Sequence, residues 1–458
     1  MGYREHLQRV LSLGLPLIGS HVAQFAIQLT DTVMLGRYDV TVLAGQILGG
    51  TLFFILLLFG SGFAFAVTPL VAEAEARGDS APVRRATRMA IWLTTGFGVL
   101  CLPALLLVRP IMLALGQEAA LSELARDYLV IQGWSIFPAL GVMVLKSTLA
   151  GVGRTQAVLW ATLVAVAMNV LCNYALIFGH WGFPELGIRG AAIASLVSTL
   201  ASAAVLWAYC ARALAEHALF AKLWSPDAEA LAQVFRLGWP IGITLLAEIG
   251  MFSASSVMMG WLGAVPLAAH GIVLNIASVV FMVHLGLSNV ATIRAGNAMG
   301  AGDRAALVRG AAVVCGLSLC TALATIAVMW AAPEALVRLF LDTGDPDFAA
   351  VVALGSTLLL AAALFQLVDA AQVMAIGLLR GLHDTRVPMI YAVVSYWIVG
   401  LPVAYWLGFG LDWGGLGVWL GLASGLALAA VTMSTRFVLR GVQSVGANGL
   451  SGYSTAIR

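Results

Sequence analysis

The chain has 458 residues, 61% of them hydrophobic and 10% charged, with a net charge of +2 and a mean hydropathy of +0.96. Soluble domains carry about 25% charged residues, so this composition cannot cover a soluble surface, and the charge balance gives no signal for a nucleic-acid partner. The expected class is an all-α polytopic membrane protein.

Arg4, Glu5, His6 and Arg9 precede a first span at about 13–36, which is too long for a removable signal peptide. Pro16 opens that span. His21, Gln24, Gln28 and Asp31 follow at spacings of 3, 4 and 3, which places them on one helical face. A charge at the centre of a bilayer costs about 2.5–3.5 kcal/mol on insertion scales, so Asp31 is a candidate functional acid. The stripe reads either as a cavity lining or as a polar seam between helices.

Spans 2 to 4 are expected at about 43–68, 86–108 and 126–149, with a kink at Pro138 and Lys146 snorkelling at the end of the fourth. Span 5, about 157–179, carries Asn169 and Asn173 at i and i+4. Asn173 comes to nearly the same depth as Asp31, counting about 1.5 Å per residue. One carboxylate and two amides supply hard oxygen donors for a small cation; the alternative is an interhelical amide bond. Span 6, about 188–211, adds Ser195 and Ser198 as possible further ligands.

Residues 212–236 form the longest loop and read as a cytoplasmic linker. Span 7, about 237–262, has Pro240, Thr244, Glu248 and Ser255. Span 8, about 267–292, has His270, Asn275, His284 and Asn289, read as packing or cavity lining, with Arg294 snorkelling at its end. Span 9 lies at about 310–331. Span 10, about 352–378, aligns Gln366, Asp369 and Gln372. Glu248 and Asp369 both fall about 16 Å from the cytoplasmic ends of their spans and form a candidate pair. Spans 11 and 12 lie at about 387–409, with a kink at Pro402, and 414–436; a flexible tail is expected over 437–458.

Residues 13–79 return at 237–303 with a constant offset of 224. Leu13-Gly14-Leu15-Pro16 matches Leu237-Gly238-Trp239-Pro240, and Gly78-Asp79 matches Gly302-Asp303. A looser match pairs 149–155 with 379–385 at offset 230. Twelve spans therefore divide into an N-lobe (1–211) and a C-lobe (237–436), two parallel six-helix lobes related by internal pseudo-twofold symmetry. The copies differ at two acids: Asp31 aligns with Ser255, and Glu248 with Gln24.

Arg77, Arg84, Arg85 and Arg88, then Arg154, Lys222, Arg304, Arg386 and Arg440, occupy loops on one side, which the positive-inside rule assigns to the cytoplasm together with both termini. The five cysteines lie in or beside apolar segments with no Cys-x-x-Cys spacing. No phosphate-binding Walker sequence, selectivity-filter sequence or nucleophile–base constellation is present, so neither an ATPase, a channel nor an enzyme is expected.

Twelve spans in two parallel halves, Leu13-Gly14-x-Pro16 leading to Asp31 and Met34-Leu35-Gly36, Glu248 in span 7 and Asp369 in span 10 together resemble the NorM-like branch of the multidrug and toxic compound extrusion (MATE) family. The resemblance covers about 10–436. It implies a secondary transporter of the bacterial inner membrane, with no cofactor, that exports lipophilic organic cations, drugs and dyes, in exchange for Na⁺ or H⁺. It implies a cation or proton site at Asp31 with Asn169 and Asn173, although some relatives have an acid at the position of Asn173. Glu248 and Asp369 are implied as a C-lobe acidic pair that binds the cation or the drug. Substrate contacts are expected from Asp31, Gln24, Gln28, Glu248, Gln366 and Asp369, in a monomer embedded in the lipid bilayer. A lipid-linked sugar flippase is the alternative within transporters; it favours a cationic cavity for phosphates, and acids and amides dominate here. A membrane enzyme or receptor is the alternative outside them.

Overall fold

A computed structural model of the chain describes residues 2–341 and 346–447. All regular structure in these residues is helical, and twelve helices are long and apolar enough to cross a membrane. They are α1 (Tyr3–Tyr38), α2 (Val40–Ala76), α3 (Ser80–Leu106), α4 (Ala119–Gly151), α5 (Thr155–Ile177), α6 (Ile188–Ala213), α7 (Ala228–Leu262), α8 (Ala264–Ala301), α9 (Arg304–Ala331), α10 (Phe348–Gly381), α11 (Arg386–Gly410) and α12 (Gly414–Val445).

The repeated sequence pairs have local causes. Gly78 and Gly302 adopt φ of +70° and +64°, a conformation that costs glycine little and closes the preceding helix. Asp79 and Asp303 then cap the next helices, accepting from Ala81 N at 3.0 Å and Ala306 N at 2.8 Å. Leu35-Gly36 and Met259-Gly260 recur because a leucine from the following helix packs there. A Cβ on Gly36 would lie 3.3 Å from Leu43 Cδ2, and one on Gly260 3.9 Å from Leu267 Cδ2.

Both mid-span prolines accompany irregular turns. A 3₁₀ turn at Gly133–Ser135 precedes Pro138, and a π segment at Val394–Gly400 precedes Pro402. Proline cannot donate to the carbonyl four residues before it; those carbonyls, of Trp134 and Ile398, lie in these turns. Residues 437–447, expected to begin a flexible tail, are helical instead: a π segment at Phe437–Gly441 leads into a helix at Val442–Ala447. The rest of that expected tail, 448–458, lies outside the described residues.

By contact the chain divides into two compact units, and the division differs from the lobes expected at 1–211 and 237–436. Residues 15–242 form one unit; residues up to 14, together with those from 243 onward, form the other. The boundaries fall within α1 and α7 rather than in a loop. Pro16 and Pro240, expected to open their helices, stand inside them next to these boundaries. The entry glycines provide the contacts. A Cβ on Gly14 would meet Leu287 and Val290 of its unit, while one on Gly238 would lie 2.6 Å from Phe63 Cδ1 and 2.7 Å from Phe63 Cα of the other. Phe63 and Leu287 are themselves 224 residues apart, so both copies of the repeat pack at this glycine, loosely at Gly14 (3.5 Å from Val290 Cγ2) and tightly at Gly238.

In the 15–242 unit, Leu105, Leu129, Ile136 and Leu140 form a fully buried apolar core. The segment read as a cytoplasmic linker, 212–236, is docked on this core unit. Trp92 Nε1 donates to the Leu223 carbonyl at 2.8 Å, Arg88 donates to the Lys222 carbonyl at 3.2 Å, and Phe63 stacks on Phe235 at 5.8 Å. Arg85 grips Asp227 with two donors, Nε at 2.5 Å and Nη2 at 3.0 Å, and reaches Glu229 at 2.7 Å. The Arg85 guanidinium holds the Asp227 carboxyl at about 2, below the ordinary carboxylate range. The folded-state value is lowered, so this contribution to stability is complete above about pH 4 and is lost as pH falls towards 2. Arg85→Ala is therefore expected to open the segment 214–227 to added protease at pH 7, while the unaltered chain resists cleavage equally at pH 7 and pH 5. Equal cleavage rates for the two proteins at pH 7 would show that the grip does not hold the segment.

Candidate functional site

Asp31 lies one turn before the Leu35-Gly36 contact on α1, which turns its side chain into the 15–242 unit. It is 9% exposed, and Asn169 and Asn173 of α5 are fully buried beside it. Asp31 Oδ1 accepts from Asn173 Nδ2 at 2.5 Å and from Asn169 Nδ2 at 3.0 Å. Ser195 Oγ of α6 donates to Oδ2 at 3.4 Å, and Asn173 Nδ2 also reaches Asn169 Oδ1 at 3.2 Å. The i, i+4 spacing of the two amides on α5 makes this fork possible. Ser198, the other hydroxyl considered on α6, turns back to the Ser195 carbonyl at 3.0 Å.

The partners of Asp31 are amides and a hydroxyl, and no cation balances it among the described residues. Asn173 Oδ1 is buried without a hydrogen-bond partner. A buried acceptor in that state is costly, and amide orientation is fixed by hydrogen-bonding alone. Turning the amides offers carbonyl oxygens next to the carboxylate, a hard oxygen set suited to Na⁺; leaving them as they stand suits a carboxylate that exchanges a proton. Among the described residues, no three His, Cys, Asp or Glu side chains converge as a metal-ligating cluster, so any ion here is held by one acid and neutral oxygens.

Two residues that sequence reasoning missed complete the surroundings. Tyr128 of α4, 4% exposed, lies near Ser195 and near Gln46 of α2 and stands within electrostatic reach of Asp31. On α1 itself, Gln24 and Gln28 are exposed while His21 is half-buried. Exposed amides in mid-span are unsuited to lipid and mark a wet face of the helix. Lys146, expected to snorkel, instead points inward. Its Nζ donates to Thr162 Oγ1 at 2.8 Å, and the same hydroxyl bonds Ser20 Oγ at 2.8 Å.

In the unit from 243 onward, Asp369 of α10 is 2% exposed and its Oδ1 has no hydrogen-bond partner. Glu248 of α7, half-buried, is within electrostatic reach of Asp369. Two further groups join them: Tyr396 of α11 is within reach of both acids, and Arg380 of α10 is within reach of Glu248. Arg380, near the C-terminal end of α10, is only 8% exposed. Gln372 Nε2 donates to Tyr396 Oη at 2.7 Å. Gln366, expected to contact substrate, is fully buried and donates to the Ala277 carbonyl at 3.0 Å.

The counterpart of the Asp31 site is closed in this second unit. Ser255 stands for Asp31, and at offset 230 Val399, Val403 and Gly425 stand for Asn169, Asn173 and Ser195. A Cβ on Gly425 would lie 2.7 Å from the Ser395 carbonyl oxygen and 2.8 Å from Gly400 Cα. Backbones thus meet where α5 and α6 carry polar side chains. Ser255 and Ser256 hydroxyls lie 3.4 and 3.2 Å from His270 Nε2, and Trp419 packs edge-on against that ring at 5.6 Å. His284 Nδ1 lies 2.9 Å from Ser318 Oγ.

The profile of the family described as MatE matches residues 16–175 and 240–406, which hold Asp31, Asn169, Asn173, Glu248 and Asp369. The chain belongs to the MatE family. It is 45% identical over 434 residues to "Probable multidrug resistance protein NorM" of Rhizobium meliloti (strain 1021), covering 94% of this chain and 93% of that one. It is 42% identical over 441 residues to the protein of the same name from Agrobacterium fabrum, covering 95% and 94%. Among solved structures, the eukaryotic MATE transporter AtDTX14 superposes with a TM-score of 0.87 at 18% identity, covering 98% of this chain and 99% of that one. An outward-facing multidrug resistance MATE family transporter of the MOP superfamily superposes with a TM-score of 0.85 at 18% identity, covering 96% of each. These likenesses establish the twelve-helix MatE fold for this chain.

Within that fold, each unit of this MatE chain carries one buried acidic centre, and the two centres are built differently. One is a single carboxylate in a fork of amides; the other is a pair of acids with a tyrosine and an arginine in reach.

Proposed function

We propose that the chain is a multidrug efflux antiporter that exports lipophilic organic cations in exchange for Na⁺ or H⁺. The observation that carries this reading is Asp31, a buried carboxylate held by three neutral donors, beside the unpartnered Asn173 Oδ1. An acid in low dielectric is held protonated or beside a cation. Asp31 is thus fitted to take up and release a small cation or a proton. Glu248 and Asp369 supply a second negative centre for the ion or for a cationic drug.

Coupling follows if the ion and the drug favour different states of the transporter; a ligand with equal affinity for both moves nothing. The NorM relatives are named as probable multidrug resistance proteins, and this reading carries that role to the present chain. Acids in both centres oppose phosphate binding, which disfavours a lipid-linked sugar flippase; membership of a transporter family leaves a membrane enzyme or receptor without support. The protein acts as a monomer in the bacterial inner membrane, termini in the cytoplasm and without a cofactor.

The experiment is dye efflux from proteoliposomes under an imposed gradient. An inward Na⁺ gradient or an inward proton gradient, applied separately, is expected to drive at least tenfold faster export than no gradient. Export that ignores both gradients rejects ion exchange.

A further inference from the structure

Arg294 is a buried cation that the transport reading leaves unused. It lies near the end of α8 and is 7% exposed. Its Nη2 lies 2.8 Å from Nδ1 of His6, which is fully buried on the first turns of α1. The Arg294 Nε and the His6 Nε2 are buried and have no hydrogen-bond partner. α9 closes over the pair at Gly310, where a Cβ would lie 3.7 Å from His6 Nδ1 and 3.9 Å from Arg294 Cβ.

A guanidinium removed from water is stable when an anion accompanies it. Here its partner is an imidazole nitrogen acting as acceptor, which brings no negative charge. Positive charge accumulates further, because Arg9 lies within electrostatic reach of both groups and Arg309 within reach of His6. The acids on these elements are engaged with backbone: Glu5 accepts from Gly2 N at 3.0 Å, and Asp303 caps α9. Three helix segments thus gather three arginines and a histidine.

The flanks indicate which anion. Leu7 and Leu11 on α1, one turn apart and 38% and 40% exposed, and Val308 on α9, 46% exposed, neighbour His6, Arg9 and Arg309 in sequence. Apolar side chains exposed on membrane helices meet acyl chains. A ligand with a phosphate oxyanion next to hydrocarbon matches both parts. Guanidinium groups bind phosphate oxygens with paired, charge-assisted hydrogen bonds, and basic pockets between membrane helices take lipid headgroups.

We infer that His6, Arg9, Arg294 and Arg309 form a binding site for the phosphate headgroup of an anionic phospholipid. Inorganic phosphate shares the headgroup chemistry but not the apolar flank. The site is independent of the transport reading.

The test uses the full chain, delipidated in detergent, and follows its thermal unfolding midpoint. Titration with phosphatidylglycerol is expected to raise the midpoint, whereas phosphatidylcholine and inorganic phosphate leave it unchanged. Arg294→Gln and Arg9→Gln are each expected to weaken the phosphatidylglycerol response at least fivefold. Arg9 is exposed, so its replacement leaves packing intact and keeps the test decisive if Arg294→Gln fails to fold; native mass spectrometry of Arg9→Gln then counts the retained phosphatidylglycerol. A response to inorganic phosphate equal to that of phosphatidylglycerol overturns the lipid assignment in favour of free phosphate. An unchanged phosphatidylglycerol response in the variants, or equal responses to phosphatidylglycerol and phosphatidylcholine, overturns the site.

Discussion

Asp31→Asn is expected to reduce gradient-driven efflux by at least tenfold while leaving the protein folded. The replacement keeps the shape of the side chain and removes its charge. The two amides of Asn169 and Asn173 now donate to the same carboxylate oxygen; after substitution they meet a neutral carbonyl or, in the other orientation, another amide donor. Charge-assisted bonds are about twice as strong as neutral ones, so the fork loosens. Burying an amide is less costly than burying an unbalanced carboxylate, and the two effects on stability oppose each other. The loss therefore concentrates in ion exchange, and the proton or cation that Asp31 takes up has no charged seat. Asn173→Ala, which removes the unpartnered oxygen and one donor, is expected to weaken ion binding about tenfold. The measurements are dye efflux in proteoliposomes and calorimetry with Na⁺ at several pH values. Unimpaired efflux by Asp31→Asn removes this residue from the mechanism.

Asp369→Asn is expected to weaken binding of a cationic dye by about 2 kcal/mol, roughly thirtyfold, the lower end for removing one member of a buried charge pair. Its Oδ1 lacks a partner, and Glu248 is close enough to repel it. Two acids within reach of each other favour a shared cation. Arg380 complicates that balance, because its charge already compensates Glu248 in part. Glu248→Gln is consequently expected to have the smaller effect of the two. Equilibrium dye binding by fluorescence anisotropy separates them; equal loss from both variants contradicts the role given to Arg380.

The Asp31 centre was largely legible before any coordinates. Equal helical rise set Asp31 and Asn173 at one depth, and the i, i+4 spacing put both amides on one face. The structure joins them as that arithmetic anticipates. Tyr128 escaped notice because an aromatic in an apolar span has no periodic signal distinguishing it from core. Lys146 and Arg294 were misread for a related reason. A long basic side chain near a span end can reach water or turn inward, and the choice depends on Thr162 and His6, which are distant in sequence. Gln366 fitted the polar stripe of α10, but stripe membership does not tell a cavity lining from a seam, and its amide serves the backbone of α8. The contact division differs from the expected lobes because alignment of the repeat compares whole helices, whereas packing divides α1 and α7 near their prolines.

That division bears on how the protein is made. Synthesis runs from N- to C-terminus, so the residues up to 14 are made well before the rest of their unit, which is encoded from residue 243 onward. Domains generally fold in the order of their synthesis, and here the start of α1 must wait for α8 and α9 to be inserted before His6 meets Arg294. The start of α7 has no such delay, since its partners in α2 are already in the membrane when Gly238 emerges. Biogenesis of the two units is therefore asymmetric even though their sequences repeat. A truncated chain ending in the 218–226 region is left with an unsatisfied N-terminal segment and without the α7 segment that packs on Phe63.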